Sequence, residues 1–270
     1  MYIIIKGRVK LKIERINKIH ELLKEKNNIT IDRLCETFNV SKNTIRRDID
    51  ELERAGLIRK VYGGIILNDQ LNALFEPFTS RETRNIQAKQ KIANIATSLV
   101  KDGDVIYIDS GTTTMHMIPC LANKNHITIV TASIHVIDVA TSYNNLSVIA
   151  TGGIVYNPSK AFVGPNVISC IKNCNFSKVF LASTGISIEH GATNGSPFEY
   201  EIKQRVVQKK CPKFLLVDST KLDKASLMTF CELREFDYIV MDEVPPEKYM
   251  NYFLKNNVKL LTKSTPNLDK

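Results

Sequence analysis

Seven short apolar runs in the last two-thirds of the chain constrain its fold more than any other feature. Each is rich in Val, Ile and Leu and is bounded by polar residues or Gly. The runs are VIYI at 105–108, ITIVT at 127–131, LSVIAT at 146–151, KVFLAS at 178–183, KFLLVD at 213–218, YIVMD at 238–242 and VKLLT at 258–262. Helical stretches lie between most of them. Near-continuous apolar strands that alternate with helices predict an α/β domain with a mostly parallel sheet covered on both faces.

A capped, basic helix is predicted within the stretch VSKNTIRRDIDELERAGLIRKVYGG at 40–64. Ser41 is a good N-cap residue, because its hydroxyl can accept a hydrogen bond from a free backbone N–H of the first turn. Three apolar residues recur at the spacing of one buried helix face, namely Ile45, Ile49 and Leu52. The polar side chains on the opposite face and its flank are those of Asn43, Arg46, Arg47, Asp50 and Arg54. By itself, this pattern also fits an amphipathic helix with a solvated basic face.

The flanking sequence extends this helix into a small domain. A helical apolar pattern covers residues 10–26, and a shorter helix is predicted from about residue 30 to residue 38. After the basic helix, Gly56 is a helix-ending residue, and residues 57–62 lead into a tight turn at Gly63-Gly64. These elements predict a winged helix-turn-helix domain at 1–67. In that motif the second helix enters the major groove of DNA with its N-terminus first.

The same stretch resembles the signature of the DeoR family of bacterial transcriptional regulators, VSxxTIRRDLxxLexxG followed by a wing that ends in HGG. The matching residues are Val40, Ser41, Thr44, Ile45, Arg46, Arg47, Asp48, Leu52, Glu53 and Gly56. Ile49 stands where the family usually has Leu, and Tyr62 where it usually has His. The resemblance implies that the domain binds double-stranded operator DNA. The residues that it implies in DNA contact are Ser41, Lys42, Asn43, Thr44, Arg46, Arg47 and Tyr62.

The charge distribution agrees with a polyanionic partner for the first quarter of the chain. The formal net charge of the 270 residues is +9. Residues 1–65 hold 15 Lys and Arg against 9 Asp and Glu, a net of +6, and the other residues carry the remaining +3. A basic excess in a small domain is typical of nucleic-acid binding, although a solvated basic face would give the same count.

A polar stretch at 68–80 is predicted to be a linker, because it includes Pro77 and shows no clear period. The effector domain is then predicted at 81–270, with a helix that runs to about residue 100. Its first segment, FTSRETRNIQAKQKIANIA at 78–96, resembles the start of the family's second domain, with Arg81, Asn85 and Lys89 at matching positions. The basic residues of this segment are interpreted as solvated or structural, and the alternative is that Arg81 or Lys89 reaches the ligand site.

The sharpest ligand-binding pattern is the loop DSGTTT at 109–114, which follows the first apolar run. In open α/β sheets, ligands bind beyond the carboxyl ends of the strands. Gly111 permits a close approach of the backbone, and the hydroxyls and free N–H groups that follow could bind a dianion. A plain turn between a strand and a helix would show the same residues. The loop is not a P-loop, since no GxxxxGK[ST] occurs.

This second domain resembles the sensor domain of the DeoR family, which is similar to ribose-5-phosphate isomerase and related sugar-phosphate enzymes. The resemblance implies that the loop holds the phosphate of a phosphorylated sugar or polyol. The residues that it implies in the effector site are Asp109, Gly111, Thr112, Thr113, Thr114, Gly152, Gly153, Glu199, Lys203 and Lys221. Glu199 and Lys203 could instead form an exposed i, i+4 pair. Lys221 could be a solvated loop residue.

The remaining composition predicts neither a metal site nor a cofactor. The six cysteines, Cys35, Cys120, Cys170, Cys174, Cys211 and Cys231, form no CxxC motif and are predicted to be buried free thiols of a reducing cytosol. The five histidines show no metal spacing, and His116 and His135 are predicted to be structural. The apolar run at 1–5 is too short for a signal peptide or a membrane span, so we expect a cytoplasmic protein without a membrane partner.

Two functions remain at this point. The first is a regulator, a repressor of sugar-metabolism genes that acts as a dimer or tetramer on repeated or palindromic half-sites. The second is a sugar-phosphate isomerase or deaminase with a DNA-binding appendage. Isomerases of this kind place a carboxylate base in an acidic, DGADE-like segment. The corresponding stretch, ASTGISIEHGA at 182–192, has only Glu189, so the sequence favours the regulator.

Overall fold

The computed structural model describes residues 15–16, 18–19, 22–23, 28–54, 58–61, 64–67 and 78–263. The chain divides into two compact units, Met1–Leu74 and Phe75–Lys270. Several predictions fall outside the described residues. They concern the first ten residues, Gly56, Tyr62, Gly63, residues 68–77 of the predicted linker and the last seven residues of the predicted effector domain.

The first unit has the elements of the predicted winged helix-turn-helix. The described residues between 15 and 23 are helical, and the later elements are β1 (Asn28–Thr30), α1 (Ile31–Phe38), α2 (Lys42–Arg54), β2 (Ile58–Val61) and β3 (Gly64–Leu67). Thr30 caps α1 by accepting a hydrogen bond from the Arg33 N–H at 3.2 Å. Asn39 ends α1 in the left-handed conformation, with φ of 48°. The buried face predicted for α2 is confirmed, since Ile45, Ile49 and Leu52 are at most 2% exposed.

The wing contains a third strand that the sequence pattern did not predict. β3 pairs antiparallel with β2 on one side and with β1 on the other. Gly64 is interpreted from the sequence as a turn residue, but its position in β3 has a further steric reason. A Cβ at Gly64 would lie 2.5 Å from the Ile29 carbonyl oxygen, so β1 approaches β3 closely only because this residue is glycine.

The second unit is built on a seven-stranded sheet in which every neighbouring pair is parallel. The sheet contains β4 (Val105–Ile108), β5 (Ile127–Thr131), β6 (Leu146–Ala150), β9 (Lys178–Ala182), β12 (Lys213–Leu216), β14 (Tyr238–Val240) and β15 (Lys259–Leu261). Their spatial order is β15-β14-β12-β9-β4-β5-β6. All seven predicted strands are confirmed, and with them the predicted α/β class.

Seven helices belong to this unit in the described part of the chain. They are α3 (Phe78–Glu82), α4 (Ile86–Ser98), α5 (Met117–Cys120), α6 (Ile134–Ala140), α7 (Pro165–Asn173), α8 (Pro197–Val207) and α9 (Glu247–Lys255). Helices α4, α5 and α6 contribute to one hydrophobic core, which we call the α4 core. Helices α7, α8 and α9 contribute to the other, the α8 core. The sheet is therefore covered on both faces, as the near-continuous apolar runs predict.

Two small antiparallel sheets were not predicted. One is a hairpin of β7 (Ile154–Tyr156) and β8 (Ala161–Val163), and the other joins β10 (Gly185–Ser187), β11 (Gly191–Asn194) and β13 (Met228–Cys231). β11 has the sequence GATN, yet all four residues are buried. The polar groups of Thr193 are satisfied locally, because the Ser183 hydroxyl contacts its N–H and carbonyl and the Thr193 hydroxyl donates to the Gly185 carbonyl. Burial of this kind leaves no apolar pattern in the sequence.

The single helix expected at the start of the second domain is interrupted. Asn85 adopts a left-handed conformation with φ of 52° between α3 and α4. Residues 78–80, assigned to the linker from the sequence, form the start of α3. The reason is local packing, because Phe78 is only 1% exposed and its ring stacks on His135 at 4.2 Å between centroids. The domain boundary at residue 81 stays a prediction. The buried Phe78 favours a boundary before residue 78.

All six cysteines are free, as predicted, but their predicted burial holds for Cys231 alone and the other five are half-buried. Among the described helices, none has the length and apolar character needed to cross a membrane.

Candidate functional site

The N-terminus of α2 presents most of the side chains predicted to contact DNA. The Ser41 hydroxyl accepts a hydrogen bond from the Thr44 N–H at 3.3 Å, so the predicted N-cap is confirmed. The Thr44 hydroxyl lies 3.0 Å from the Ser41 hydroxyl. Ser41, Lys42 and Asn43 are exposed, and Thr44 is half-buried. The first turn of the helix is thereby fixed while its outer side chains stay accessible.

The three charged residues after Ile45 have different surroundings. Arg46 and Arg47 are exposed. Asp48 is only 1% exposed, and its carboxylate accepts a hydrogen bond from the Arg15 Nε at 2.6 Å. This ion pair joins α2 to the helical residues before β1. The sequence analysis gave Asp48 no role beyond its match to the family signature, and the structure gives it a structural one.

Two exposed ion pairs lie close to the proposed DNA-contacting residues. Lys42 pairs with Asp32 at 2.6 Å, and the hydrogen bond and charge of Asp32 raise the pKa of Lys42. Lys60 of β2 donates to Asp50 at 2.7 Å and also contacts Glu53, which ties the wing to α2. Lys42 would have to exchange Asp32 for a phosphate in order to contact DNA. Because this pair is exposed, the exchange has a small cost.

A second set of predicted residues meets at the carboxyl ends of β4 and β9. Asp109 directly follows β4, and its carboxylate accepts a hydrogen bond from the Ala182 N–H at 3.1 Å. The same carboxylate forms an ion pair with Lys203 of α8, and Lys203 also donates to the Ala182 carbonyl at 2.8 Å. Both side chains are at most 5% exposed. The pair thus fixes α8 against the ends of two neighbouring strands.

Glu199 lies one helical turn before Lys203, beside the loop that follows β4. It accepts a hydrogen bond from the Ser110 hydroxyl at 3.3 Å. Burial raises the pKa of Glu199, while the positive charges of Lys203 and Arg81 act in the opposite direction. The alternative of an exposed i, i+4 pair is wrong, because Lys203 is buried and Glu199 faces the loop.

The loop at 110–114 is packed tightly against β9. A Cβ at Gly111 would collide with the Ala182 side chain, so this position requires glycine. The Thr114 hydroxyl donates within the loop, with the Asp109 and Gly111 carbonyls 2.8 and 2.9 Å away. Within the described residues, the hydroxyls of Thr112 and Thr113 make no hydrogen bond. Thr114 therefore holds the loop in shape, whereas the hydroxyls of Thr112 and Thr113 are not used within the loop.

The helix expected after this loop is short. A 3-10 turn, Thr114–His116, leads into the four residues of α5. A helix of one turn has a small dipole, so little of the expected electrostatic help can come from that source. Positive charge at this edge comes from side chains instead.

Those side chains form a basic cluster made of Arg81, Arg84, Lys89 and Lys221. Lys89 is only 3% exposed, and its ammonium donates to the Arg81 carbonyl. Burial, together with the charges of Lys221, Arg81 and Arg84, lowers the pKa of Lys89 to about 8, while the charge of Asp218 acts in the opposite direction. Burial, followed by the charges of Arg81, Lys224 and Arg84, also lowers the pKa of Lys221. The charges of these side chains therefore act on one another around the buried ammonium of Lys89.

Asp218, after β12, is the carboxylate nearest to this cluster. Its Oδ1 accepts hydrogen bonds from the Thr220 N–H at 3.1 Å and from the Asn85 amide at 3.2 Å. Its Oδ2 is buried and has no hydrogen-bond partner among the described residues. Arg81 connects the two parts of the site, because its charge acts on Glu199 and on Lys89.

The remaining predicted residues have structural surroundings. Gly152 and Gly153 adopt positive φ values of 63° and 122° in the turn after β6, and a Cβ at Gly153 would lie 2.7 Å from the Val163 carbonyl oxygen. No described hydrogen bond or ion pair joins them to Asp109, so their place in the effector site stays a prediction. His135 stacks on Phe78, and burial lowers the pKa of His116.

Comparisons with known proteins agree with both units. A family model described as "DeoR-like helix-turn-helix domain" matches residues 15–71, and one described as "DeoR C terminal sensor domain" matches residues 84–243. The chain belongs to the DeoR family. Within this family, HTH-type transcriptional regulator IolR of Bacillus subtilis is 34% identical over 242 residues, which cover 90% of this chain and 96% of the relative. The lactose phosphotransferase system repressor of Staphylococcus epidermidis is 31% identical over 240 residues, with coverages of 88% and 94%.

A solved structure of ribose 5-phosphate isomerase A from Methanocaldococcus jannaschii is similar at a TM-score of 0.38. Its sequence is 19% identical, and the match covers 51% of this chain and 55% of the isomerase.

DeoR-family membership decides between the two functions left open by the sequence. The chain is a DNA-binding transcriptional regulator, and the isomerase-like enzyme is set aside. The sequence analysis missed Ser110 and Ala182 as partners of Glu199 and Asp109. Arg81 and Lys89 were interpreted from the sequence mainly as solvated or structural residues, whereas both belong to the basic cluster. The one signal that could have singled out these two basic residues was their match to the start of the family's second domain.

Proposed function

We propose that this DeoR-family regulator represses sugar-metabolism genes in the cytoplasm and that a phosphorylated sugar or polyol controls its binding to operator DNA. The name of the S. epidermidis relative, a repressor of a sugar phosphotransferase system, supports the repressor role. The observation that carries the effector assignment is the meeting of a basic cluster and a half-buried carboxyl at one sheet edge.

The DNA-binding half of the proposal rests on α2. Ser41, Lys42, Asn43, Thr44, Arg46 and Arg47 lie on its N-terminal half, and a helix that enters the major groove N-terminus first would present them to base edges and phosphates. Arg46 and Arg47 differ by about 100° in direction around the helix. One of them therefore reads a base while the other contacts the backbone. Tyr62, at the wing, is proposed as a further backbone contact.

The phosphate of the effector is assigned to the basic part of the site. Lys89, Lys221 and Arg81 supply positive charge, and Thr112 and Thr113 supply hydroxyl donors. A phosphate dianion must lose its water shell in order to bind, so it needs this number of charged and neutral donors. A neutral sugar does not need this number of donors. The exposure of Lys221 is intermediate, which keeps the cluster accessible.

The hydroxyl groups of the effector are assigned to the acidic part. Glu199 is an acceptor when ionised and also a donor when protonated, and its raised pKa favours the protonated form. Asp109 and Lys203 form an ion pair at the ends of β4 and β9. This pair holds α8, and with it Glu199, in position. The turn at Gly152-Gly153 completes the set of residues assigned to the effector by family resemblance.

Control of DNA binding requires only that the effector favour one arrangement of the protein over another. Half-sites that are repeated or palindromic would be read by two or more copies of the chain, so we propose a dimer or tetramer.

Calorimetric titration of a phosphosugar and of its dephosphorylated partner tests the effector assignment. Hydrogen bonds to a charged group contribute about 1.5–3 kcal/mol each, so loss of the phosphate should weaken binding by about a hundredfold or more. The Thr112→Val, Thr113→Val double variant should fold, bind operator DNA and lose the effector response. Thr141→Val is the matched control, because Thr141 is exposed and lies just after α6, outside the proposed effector site. Equal affinity of wild type for the two ligands would reject the phosphate assignment.

A further inference from the structure

The segment at 139–159 has an unusual composition for an exposed part of this chain. Between Asp138 and Lys160 there is no Asp, Glu, Lys, Arg or His. Charged residues make up 24% of the whole sequence, so about five would be expected over this length. Most of the segment is not buried; the exposed residues are Thr141, Ser142, Asn144, Ser147, Ile149, Ala150, Gly153, Val155 and Asn157. Solvent alone does not account for a neutral surface of this size on a protein of net charge +9.

This segment contains β6, which is an edge strand of the seven-stranded sheet. Among the described strands, β6 pairs with β5 alone, so the backbone groups on its other side have no strand partner. Leu146 and Val148 pack on the α4 core. The alternate side chains, Ser147 and Ile149, point to the opposite face and are exposed, and Ile149 keeps 45% of its surface in solvent.

The opposite edge of the same sheet is protected against strand pairing. β15 is only three residues long and carries the exposed Lys259. A charged residue on a short strand is a common device that prevents edge-to-edge association. β6 is longer, at five residues, and has no such device.

Exposed apolar side chains elsewhere on the second unit have charged neighbours. Leu254 is 80% exposed on α9, but Lys255 follows it directly and Glu247 and Lys248 lie on the same helix. Exposure of an apolar side chain is therefore not sufficient to mark a contact surface here. The exposed face of β6 differs, because it combines an exposed apolar side chain, Ile149, with an unpaired strand edge and no charged residue.

We propose that β6 pairs antiparallel with β6 of a second copy of this chain across a two-fold axis, with Ile149 and Ser147 buried at the contact. A second copy is the occupant that fits, because a neutral surface avoids repulsion between two chains that each carry a net charge of +9. An uncharged strand is complementary to itself, as a two-fold interface requires. Antiparallel pairing satisfies the backbone groups of both edges and joins the two sheets into one.

This inference deepens the proposed function, since it names the surface through which two copies would be held on paired half-sites. Its test needs neither DNA nor a sugar phosphate, so it can fail while the effector and operator assignments hold, and the reverse is also true.

Sedimentation equilibrium of the full chain tests the interface directly. We expect wild type to form dimers or larger even-numbered assemblies. Ile149→Lys should weaken self-association by at least about a hundredfold, because the two-fold axis brings two like charges together in a desolvated contact. Ser147→Lys should weaken it by at least about tenfold, and it cannot disturb the monomer core because Ser147 is exposed. Leu254→Lys is the matched control and should associate as wild type does.

Amide hydrogen exchange on wild type gives a second, mutation-free measurement. The β6 amides that do not bond to β5 should exchange more slowly as protein concentration rises into the range of association. A wild type that remains monomeric over the whole concentration range of the sedimentation experiment would overturn the proposal. So would a Ser147→Lys variant that associates as tightly as Leu254→Lys, or β6 amides whose exchange does not depend on concentration. If Ile149→Lys does not fold, Ser147→Lys and the exchange measurement decide the matter.

Discussion

Lys203 carries its charge in a place where an isolated ammonium would be strongly destabilising. Its partner, Asp109, is equally buried, and the Ala182 backbone supplies a further hydrogen bond to each of them. The two charges therefore depend on each other. Removing one member of a buried ion pair leaves the other without compensation, and this costs far more than the net contribution of the pair.

We expect Lys203→Met to lower the free energy of unfolding of the second unit by about 3–5 kcal/mol. Urea denaturation followed by circular dichroism measures the change. Lys248→Met is the control, because it breaks an exposed pair with Asp223 and should leave the midpoint unchanged. Equal midpoints for the two variants would show that the Asp109 site tolerates an unpaired charge.

We expect effector binding to depend on pH because of the proposed contact between Lys89 and the phosphate of the effector. With a pKa of about 8, it is mostly protonated at neutral pH in the free protein and loses its proton as the pH rises through that value. A bound phosphate dianion favours the charged ammonium and so raises this pKa. Above about pH 8, binding must therefore take up a proton, and the affinity should fall by up to about tenfold per pH unit.

Titrations of a phosphosugar between about pH 7 and pH 9 test this expectation. Lys89→Gln should bind more weakly at neutral pH and should lose much of the pH dependence, with the rest coming from Lys221. Lys101→Gln, at an exposed position, is the control. A wild-type affinity that stays constant over this pH range would show that Lys89 does not contact the phosphate.

At the scale of elements, α2 has both a buried charged residue and exposed ones. Asp48 is used within the fold, while Arg46 and Arg47 are exposed. Replacing both arginines with Ala should cost at least about 1–3 kcal/mol of operator affinity and reduce the salt dependence of binding. Arg33→Ala, on the exposed face of α1, should have a much smaller effect. Mobility-shift titrations at two salt concentrations provide the measurement, and unchanged affinity of the double variant would exclude α2 as the reading helix.

The elements that the sequence predicts well are those whose apolar pattern is continuous. All seven strands of the parallel sheet were predicted, since a strand buried on both faces is apolar at nearly every position. β11 was not predicted, because its Thr and Asn side chains are buried through hydrogen bonds rather than apolar packing. β1 was not predicted because its three residues, NIT, also suit the start of a helix.

The candidate site shows the same limit. Asp109, Glu199, Lys203 and Lys221 were singled out from the sequence. The pairing of Asp109 with Lys203, however, joins residues 94 positions apart, and no local pattern contains it. The basic cluster depends on the break at Asn85, which turns Arg81 back toward Lys89. Long-range contacts and backbone breaks of this kind become visible only in the fold.

For the whole molecule, the position of the domain boundary is a testable matter. The sequence placed the start of the effector domain at residue 81, but the buried ring of Phe78 stacks on His135. A fragment of residues 75–270 should therefore fold and bind the effector. A fragment of residues 81–270 should be less stable by about 3 kcal/mol or more, because it lacks that ring. Thermal unfolding by circular dichroism compares them, and equal stability would show that the Phe78 contact contributes little.

The order of the parallel strands also has a consequence for how the chain is made. β4 is the first strand of the sheet to leave the ribosome, yet it ends up between β5 and β9, and Ile106 pairs with Lys178 far along the chain. The edge of β4 that β9 will cover must stay bare until the second half of the domain is synthesised. Parallel pairing across such distances is slow, because the loop must close before any contact forms. Refolding from urea should thus show a phase for the second unit that is slower than that of the helical first unit, and a single common rate would contradict this. During synthesis, the uncovered edge of β4 is therefore open to pairing with other chains until β9 is available.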